Sequence, residues 1–127
     1  MKYLLDTHTA IWALGEKEKL SIKAKSIIDN TSIPLYVSII SAWEIAIKIS
    51  LNKIIFDGGS SFFLEKIRKN GIEIIYLNDL HIKTIENMLF FHRDPFDRII
   101  IAKALVENLT IITSDENIQK YDVSWVW

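Results

Sequence analysis

The sequence predicts an α/β fold of three layers, with helices on both faces of a central, mostly parallel sheet of four or five strands. Three observations predict it. Short apolar runs rich in β-branched residues alternate with longer segments of helical period along all 127 residues. Those runs are continuous rather than alternating, as strands are when both faces of a parallel sheet are covered. Half the residues are hydrophobic and the mean hydropathy is +0.19, enough to fill two core layers and to leave apolar surface for an oligomer contact.

Tyr3-Leu4-Leu5 reads as the first strand, closed by Asp6. Ala10 to Leu14 is a short helix that stops near Gly15. Ser21 to Asp29 carries Ile22, Ala24, Ile27 and Ile28 at helical spacing, a modest amphipathic helix. Leu35-Tyr36-Val37 is a strand entered through Pro34, and Ser41 to Leu51 a strongly apolar helix. Asp57-Gly58-Gly59 breaks the chain, and Phe62 to Lys69 is a helix ending before Asn70-Gly71. Glu73 to Tyr76 is a strand, Asp79 to Met88 a helix, and Phe90 to Asp94 a connection. Pro95 to Glu107 is a helix with proline in its first turn, where the missing N–H costs nothing. Thr110 to Thr113 is a strand, Glu116 to Lys120 a helical turn, and Val123 to Val126 a closing edge strand. No repeat or linker interrupts the pattern, so residues 1–127 read as one domain.

Composition removes several classes of function. Fifteen Lys and Arg against sixteen Asp and Glu give a formal charge of −1, which excludes a polybasic arm gripping nucleic acid by charge alone. With no cysteine there is no disulfide framework, thiolate metal site or cysteine nucleophile. No apolar run approaches the roughly 18 residues of a membrane span, and Met1 to Asp6 does not make a signal peptide. The cytoplasm is the expected location.

Ligands of an open parallel sheet bind beyond the carboxyl ends of its strands, near the point where strand order reverses. The sequence puts three acids within reach of that edge, and a fourth, Asp97, if its helix begins there. Asp6 ends the first strand, Asp115 follows Thr110-Ile111-Ile112-Thr113 closely, Glu44 lies one turn into the helix after the second strand, and Asp97 falls in the first turn of the helix opened by Asp94-Pro95. Carboxylates without cysteine or an obligatory histidine suit a hard divalent cation, Mg²⁺ or Mn²⁺. A capping role competes at Asp6, Asp115 and Asp97, and Asp94 reads first as the N-cap preceding proline at N1. Glu44 has a rival role in an ion pair with Lys48 on a solvated stripe, but a helix this apolar is buried, and a buried acid needs a partner. His8 reads as a loop or cap residue, and His81 carries no assigned role. His92 and Arg93 form a small basic rim beside the acids, which Arg98 and Lys103 continue unless they lie on a solvated helix face. Trp125 and Trp127 read as packing anchors.

Four segments together resemble the PIN-domain family, in particular the VapC-like toxins of prokaryotic toxin–antitoxin pairs. They are Leu4-Leu5-Asp6-Thr7-His8, Ser41 to Lys48, His92 to Arg98, and Leu109 to Asp115. The resemblance spans essentially the whole chain and implies Asp6, Glu44, Asp97 and Asp115 as metal ligands and catalytic residues, with Asp94 as an accessory acid. It further implies a Mg²⁺- or Mn²⁺-dependent endoribonuclease hydrolysing RNA with metal-activated water, a homodimer, and a cognate antitoxin that blocks the site. A catalytically silent PIN-like subunit that binds RNA or a partner protein is the alternative. A haloacid-dehalogenase-like phosphatase would need a second aspartate where His8 stands, and a response-receiver module would need a lysine that Thr113-Ser114-Asp115 does not supply.

Overall fold

Neighbouring leucines on the first strand point into different cores. Leu5 of β1 (Tyr3–Leu5) packs in a cluster with Val37, Ala42, Ile45, Phe63 and Ile112, whereas Leu4 packs with Ile100, Ile101, Ile111 and Ile118. The period of two in a strand thus separates two apolar layers, one on each face of the sheet. The computed structural model describes all residues, 1–127. Besides β1, the sheet contains β2 (Leu35–Ser38), β3 (Glu73–Ile75), β4 (Thr110–Ile112) and β5 (Trp125–Val126), in the order β3-β2-β1-β4-β5. Every pairing is parallel. The strand order reverses between β1 and β4, the point beyond whose carboxyl ends ligands of open α/β sheets bind.

Seven helices flank the sheet: α1 (Thr7–Gly15), α2 (Ile22–Asp29), α3 (Ile39–Ser50), α4 (Gly59–Lys69), α5 (Asp79–Ile85), α6 (Pro95–Glu107) and α7 (Glu116–Gln119). Residues of α1, α2, α3 and α4 fill the first core, and α6 and α7 the second. A third, smaller cluster of Ile40, Ile99 and Ala102 joins α3 to α6.

Several boundaries differ from those read in the sequence, each for a capping reason. Helix α1 begins at Thr7 because Asp6 caps it, accepting from Thr9 N–H at 2.9 Å. Helix α3 leaves β2 directly because Ser38 caps it, accepting from Ile40 N–H at 3.0 Å. Helix α4 starts at Gly59, behind Gly58 at φ 85°. A Cβ on Gly58 would stand 2.6 Å from Phe62 Cβ, so this turn requires glycine twice over. Helix α5 ends at Ile85 rather than Met88, and a short 3₁₀ turn over Lys17–Lys19 was not apparent from periodicity. The closing strand is two residues long, Trp125–Val126. Trp127 packs against Trp12 with ring centroids 5.9 Å apart, while Trp125 is largely exposed.

Two cations do not lie where the sequence placed them. Arg98 and Lys103 belong neither to a rim nor to a solvated face, because both are buried. Lys103 Nζ donates to Ser38 Oγ at 2.5 Å and to the Ile75 carbonyl at 3.0 Å, tying α6 to the carboxyl ends of β2 and β3. Its long stem crosses apolar surface and its head takes up backbone and hydroxyl acceptors. His81 is also buried. Its Nδ1 accepts from Asn78 N–H at 3.2 Å while Asn78 Oδ1 accepts from His81 N–H at 3.0 Å, a capping box with histidine in the place of the usual glutamate.

Burial pushes the Lys103 ammonium down to about 8. Between that value and the ordinary 10.5, the unfolded chain binds the proton that the folded chain has released, so this residue makes stability rise with pH across the interval. The melting temperature of wild type relative to Lys103→Met is therefore expected to climb from about pH 8 to pH 10 and to be flat below. A constant difference over that range would refute the assignment.

Candidate active site

The carboxyl edge of the sheet gathers its polar side chains through two threonines. Asp6 leaves β1 at the point where strand order reverses and is only 5% exposed. One of its oxygens accepts from Thr9 N–H at the start of α1, and the other accepts from the Thr113 hydroxyl, just past β4. Burial raises the Asp6 carboxyl above the ordinary range, opposed by its hydrogen bonds to Thr113 and Thr9. The same Thr113 Oγ1 accepts from Asp115 N–H at 3.0 Å, fixing the turn that carries Asp115. Asp115 is half-buried and caps α7, accepting from Asn117 N–H at 2.9 Å.

Thr7 performs the second linkage. Its hydroxyl donates to Glu44 Oε1 at 2.7 Å and lies 2.9 Å from Ser41 Oγ. Glu44 is 3% exposed, and its Oε2 accepts from Lys48 Nζ at 2.7 Å. The sequence offered the ion pair and the buried acid as alternatives. Both hold, because Lys48 reaches inward from a position one turn further along α3 while Glu44 stays covered.

Asp97 approaches from α6. His92 Nε2 stands 3.1 Å from Asp97 Oδ2, and His92 Nδ1 lies 2.8 Å from the Tyr121 hydroxyl. Arg98 donates to the same hydroxyl at 2.9 Å. A guanidinium can only donate, so the Tyr121 oxygen accepts from it and keeps its proton and a second lone pair for Nδ1, while Nε2 pairs with Asp97. Asp94 caps α6, its Oδ1 accepting from Phe96 N–H at 2.9 Å and Asp97 N–H at 3.1 Å. His8 is exposed and lies against Trp12, with ring centroids 5.8 Å apart.

Asp97 reports what these acids do to one another. Its carboxyl is pushed up to about 8, first by burial and then by the charges of Asp94, Asp115, Glu44 and Asp6. All the carboxylates singled out in the sequence thus act on one side chain. They have not closed into a ligand cage, since no three His, Asp or Glu side chains stand together as a group that could hold a metal ion. The donor set nevertheless fits one. It is all oxygen and surplus in negative charge, which matches a hard divalent cation and no soft one. Thr7 and Thr113 were missed in the sequence. Their signal was a hydroxyl next to an acid at a strand end.

A family model described as the PIN domain matches residues 3–124. The chain belongs to the PIN domain family. Solved structures share the fold of this PIN domain at low identity. DNA-bound VapBC from Salmonella typhimurium has a TM-score of 0.72 at 16% identity, covering 99% of this chain and 97% of that one. VapBC-1 from nontypeable Haemophilus influenzae has a TM-score of 0.69 at 19% identity, with 99% and 97% covered. A toxin–antitoxin complex from Klebsiella pneumoniae has a TM-score of 0.63 at 16% identity, with the same coverage. No curated protein matches the sequence. No helix of this PIN domain is long and apolar enough to cross a membrane.

An acid whose carboxyl is raised in the folded state loses stability as pH climbs from the ordinary value to the raised one. For Asp97 that interval runs from 3.8 to about 8. In chelator, Asp97→Asn is expected to melt above wild type by a margin that widens across this range. Melting curves at pH 5, 6.5 and 8 check it, and a margin that shrinks would count against the coupled acids.

Proposed function

We propose that the chain is a divalent-cation-dependent endoribonuclease acting as the toxin of a toxin–antitoxin pair. The observation that carries this reading is the convergence of charge on Asp97 from acids on four separate segments at the carboxyl edge of the sheet. Residues placed there for stability alone would avoid one another. Membership of the PIN domain family and the likeness to toxin–antitoxin structures support it.

Asp6, Glu44, Asp97 and Asp115 would hold Mg²⁺ or Mn²⁺, which would supply Lewis-acid activation of water and charge neutralisation at the scissile phosphate. The chain's own residues do the rest. Thr9 N–H and Thr113 fix Asp6, Thr7 fixes Glu44, and the pair His92–Tyr121 orients Asp97. Such supporting donors fix which carboxylate oxygen faces the ion. Asp115, at the rim and partly occupied as a cap, suits a contact through water. Asp94 has one oxygen engaged in capping α6 and serves as an accessory acid. Trp43, 57% exposed and held edge-on to Phe96 at 5.3 Å, offers an aromatic surface where α3 meets α6 on which a base of single-stranded RNA can stack.

Two protein partners belong to the proposal. An apolar cleft lined by Ile11, Leu14, Phe56 and Phe62 suits an antitoxin segment. The exposed Leu80, Ile82, Leu89 and Phe90 suit a second copy in a cytoplasmic homodimer. The ion pair Lys48–Glu44 favours a second reading, a silent PIN subunit that binds RNA or a partner protein without cutting it.

Cleavage of single-stranded RNA by the purified chain is expected to stop in EDTA and to return with Mn²⁺. Full cleavage in EDTA would instead indicate acid–base chemistry without metal, and no cleavage with Mn²⁺ would favour the silent subunit. Asp6→Asn is expected to lose about 100-fold or more in rate while melting at or above wild type, because asparagine still caps α1. A variant that cuts at the normal rate removes Asp6 from the site.

A further inference from the structure

Glu44 has both oxygens taken by protein donors, and the two donors are not equivalent. Thr7 is buried and neutral, and its hydroxyl can keep hold of Oε1 while Oε2 serves something else. Lys48 is a cation whose side chain remains 33% exposed against 5% for Glu44. It borders an apolar cleft with Thr7, His8, Ile54 and Phe56, so its flexible stem can withdraw the ammonium to water without unpacking the core.

The two buried cations of α6 are committed elsewhere. Arg98 donates to the Leu89 carbonyl and Tyr121, and Lys103 to Ser38 and Ile75. His92 serves Asp97. An ammonium 2.7 Å from Oε2 and a divalent ion on the same oxygen would repel strongly at contact distance in a partly desolvated site.

We propose that Lys48 is the built-in counter-ion of the acid site, held on Glu44 until a divalent cation displaces it. The proposal rests on the metal-dependent reading above and adds a threshold to it. The entering ion must break a formed ion pair, so the site loads at a higher metal concentration than the same acids without Lys48.

The test is Mn²⁺ binding by calorimetry to the full chain at pH 8 without RNA, for wild type, Lys48→Met, Lys48→Gln and Lys48→Arg. Lys48→Met is expected to bind Mn²⁺ about tenfold more tightly than wild type, as for loss of one partly buried competing charge. Lys48→Gln keeps a hydrogen-bond donor without the charge; it moves the same way and carries the test if the methionine variant does not fold. Lys48→Arg keeps the charge and stays near wild type. Wild type that binds Mn²⁺ while the neutral variants bind no more tightly overturns the counter-ion and leaves the metal-dependent reading intact. An arginine variant that binds as tightly as the neutral ones also overturns it. Absence of Mn²⁺ binding in every protein overturns both.

Discussion

Asp6 is a carboxylate buried where two strands part, and the rest of the site is arranged around it. Taking its charge out of water carries a penalty, which shows as a carboxyl raised above its ordinary range. The parallel sheet limits that penalty. Because strand order reverses at β1 and β4, one oxygen meets the N-terminus of α1 and the other meets Thr113 from the neighbouring loop. A helix N-terminus presents unpaired N–H groups and the positive end of its dipole, so the fold provides Asp6 with donors that an isolated strand end lacks. What it does not provide at Asp6 is a direct cationic partner.

The layout of this chain was legible because its strands and helices have strong, separate periods. The five apolar runs became five strands, and the acids that followed them arrived at the carboxyl edge. What stayed hidden was the polar wiring. Thr7 and Thr113 are ordinary residues in any window of sequence, since a hydroxyl contributes nothing to periodicity and takes its role from a residue 37 or 107 positions away. Arg98 and Lys103 misled for a related reason. Long cationic side chains are mostly exposed, and only the arrival of the Leu89, Ile75, Ser38 and Tyr121 acceptors allows them to be covered.

Helix α3 shows how one segment serves core and site together. Ile45 and Ala42 fill the first core, Ile40 meets α6, and Ser41, Glu44 and Lys48 form a polar stripe between these apolar faces. Its start is fixed by Ser38, which is also the hydroxyl that receives Lys103. The depth at which Glu44 sits is therefore set partly from α6, the helix that also carries Asp97. Two acids from distant parts of the chain share a mechanical connection through buried packing and a single hydroxyl.

Tyr121 is where this connection meets the end of the chain. Its oxygen is shared between a guanidinium that must donate and an imidazole nitrogen 2.8 Å away. Phenylalanine there would keep the ring packed beside Phe91 yet leave Arg98 short of an acceptor and the imidazole Nδ1 without its partner. The position thus holds two properties in one atom, the covering of a buried charge and the anchoring of the His92 ring. Evolution cannot relax one without disturbing the other, so drift at this tyrosine would have to be accompanied by change at both neighbours.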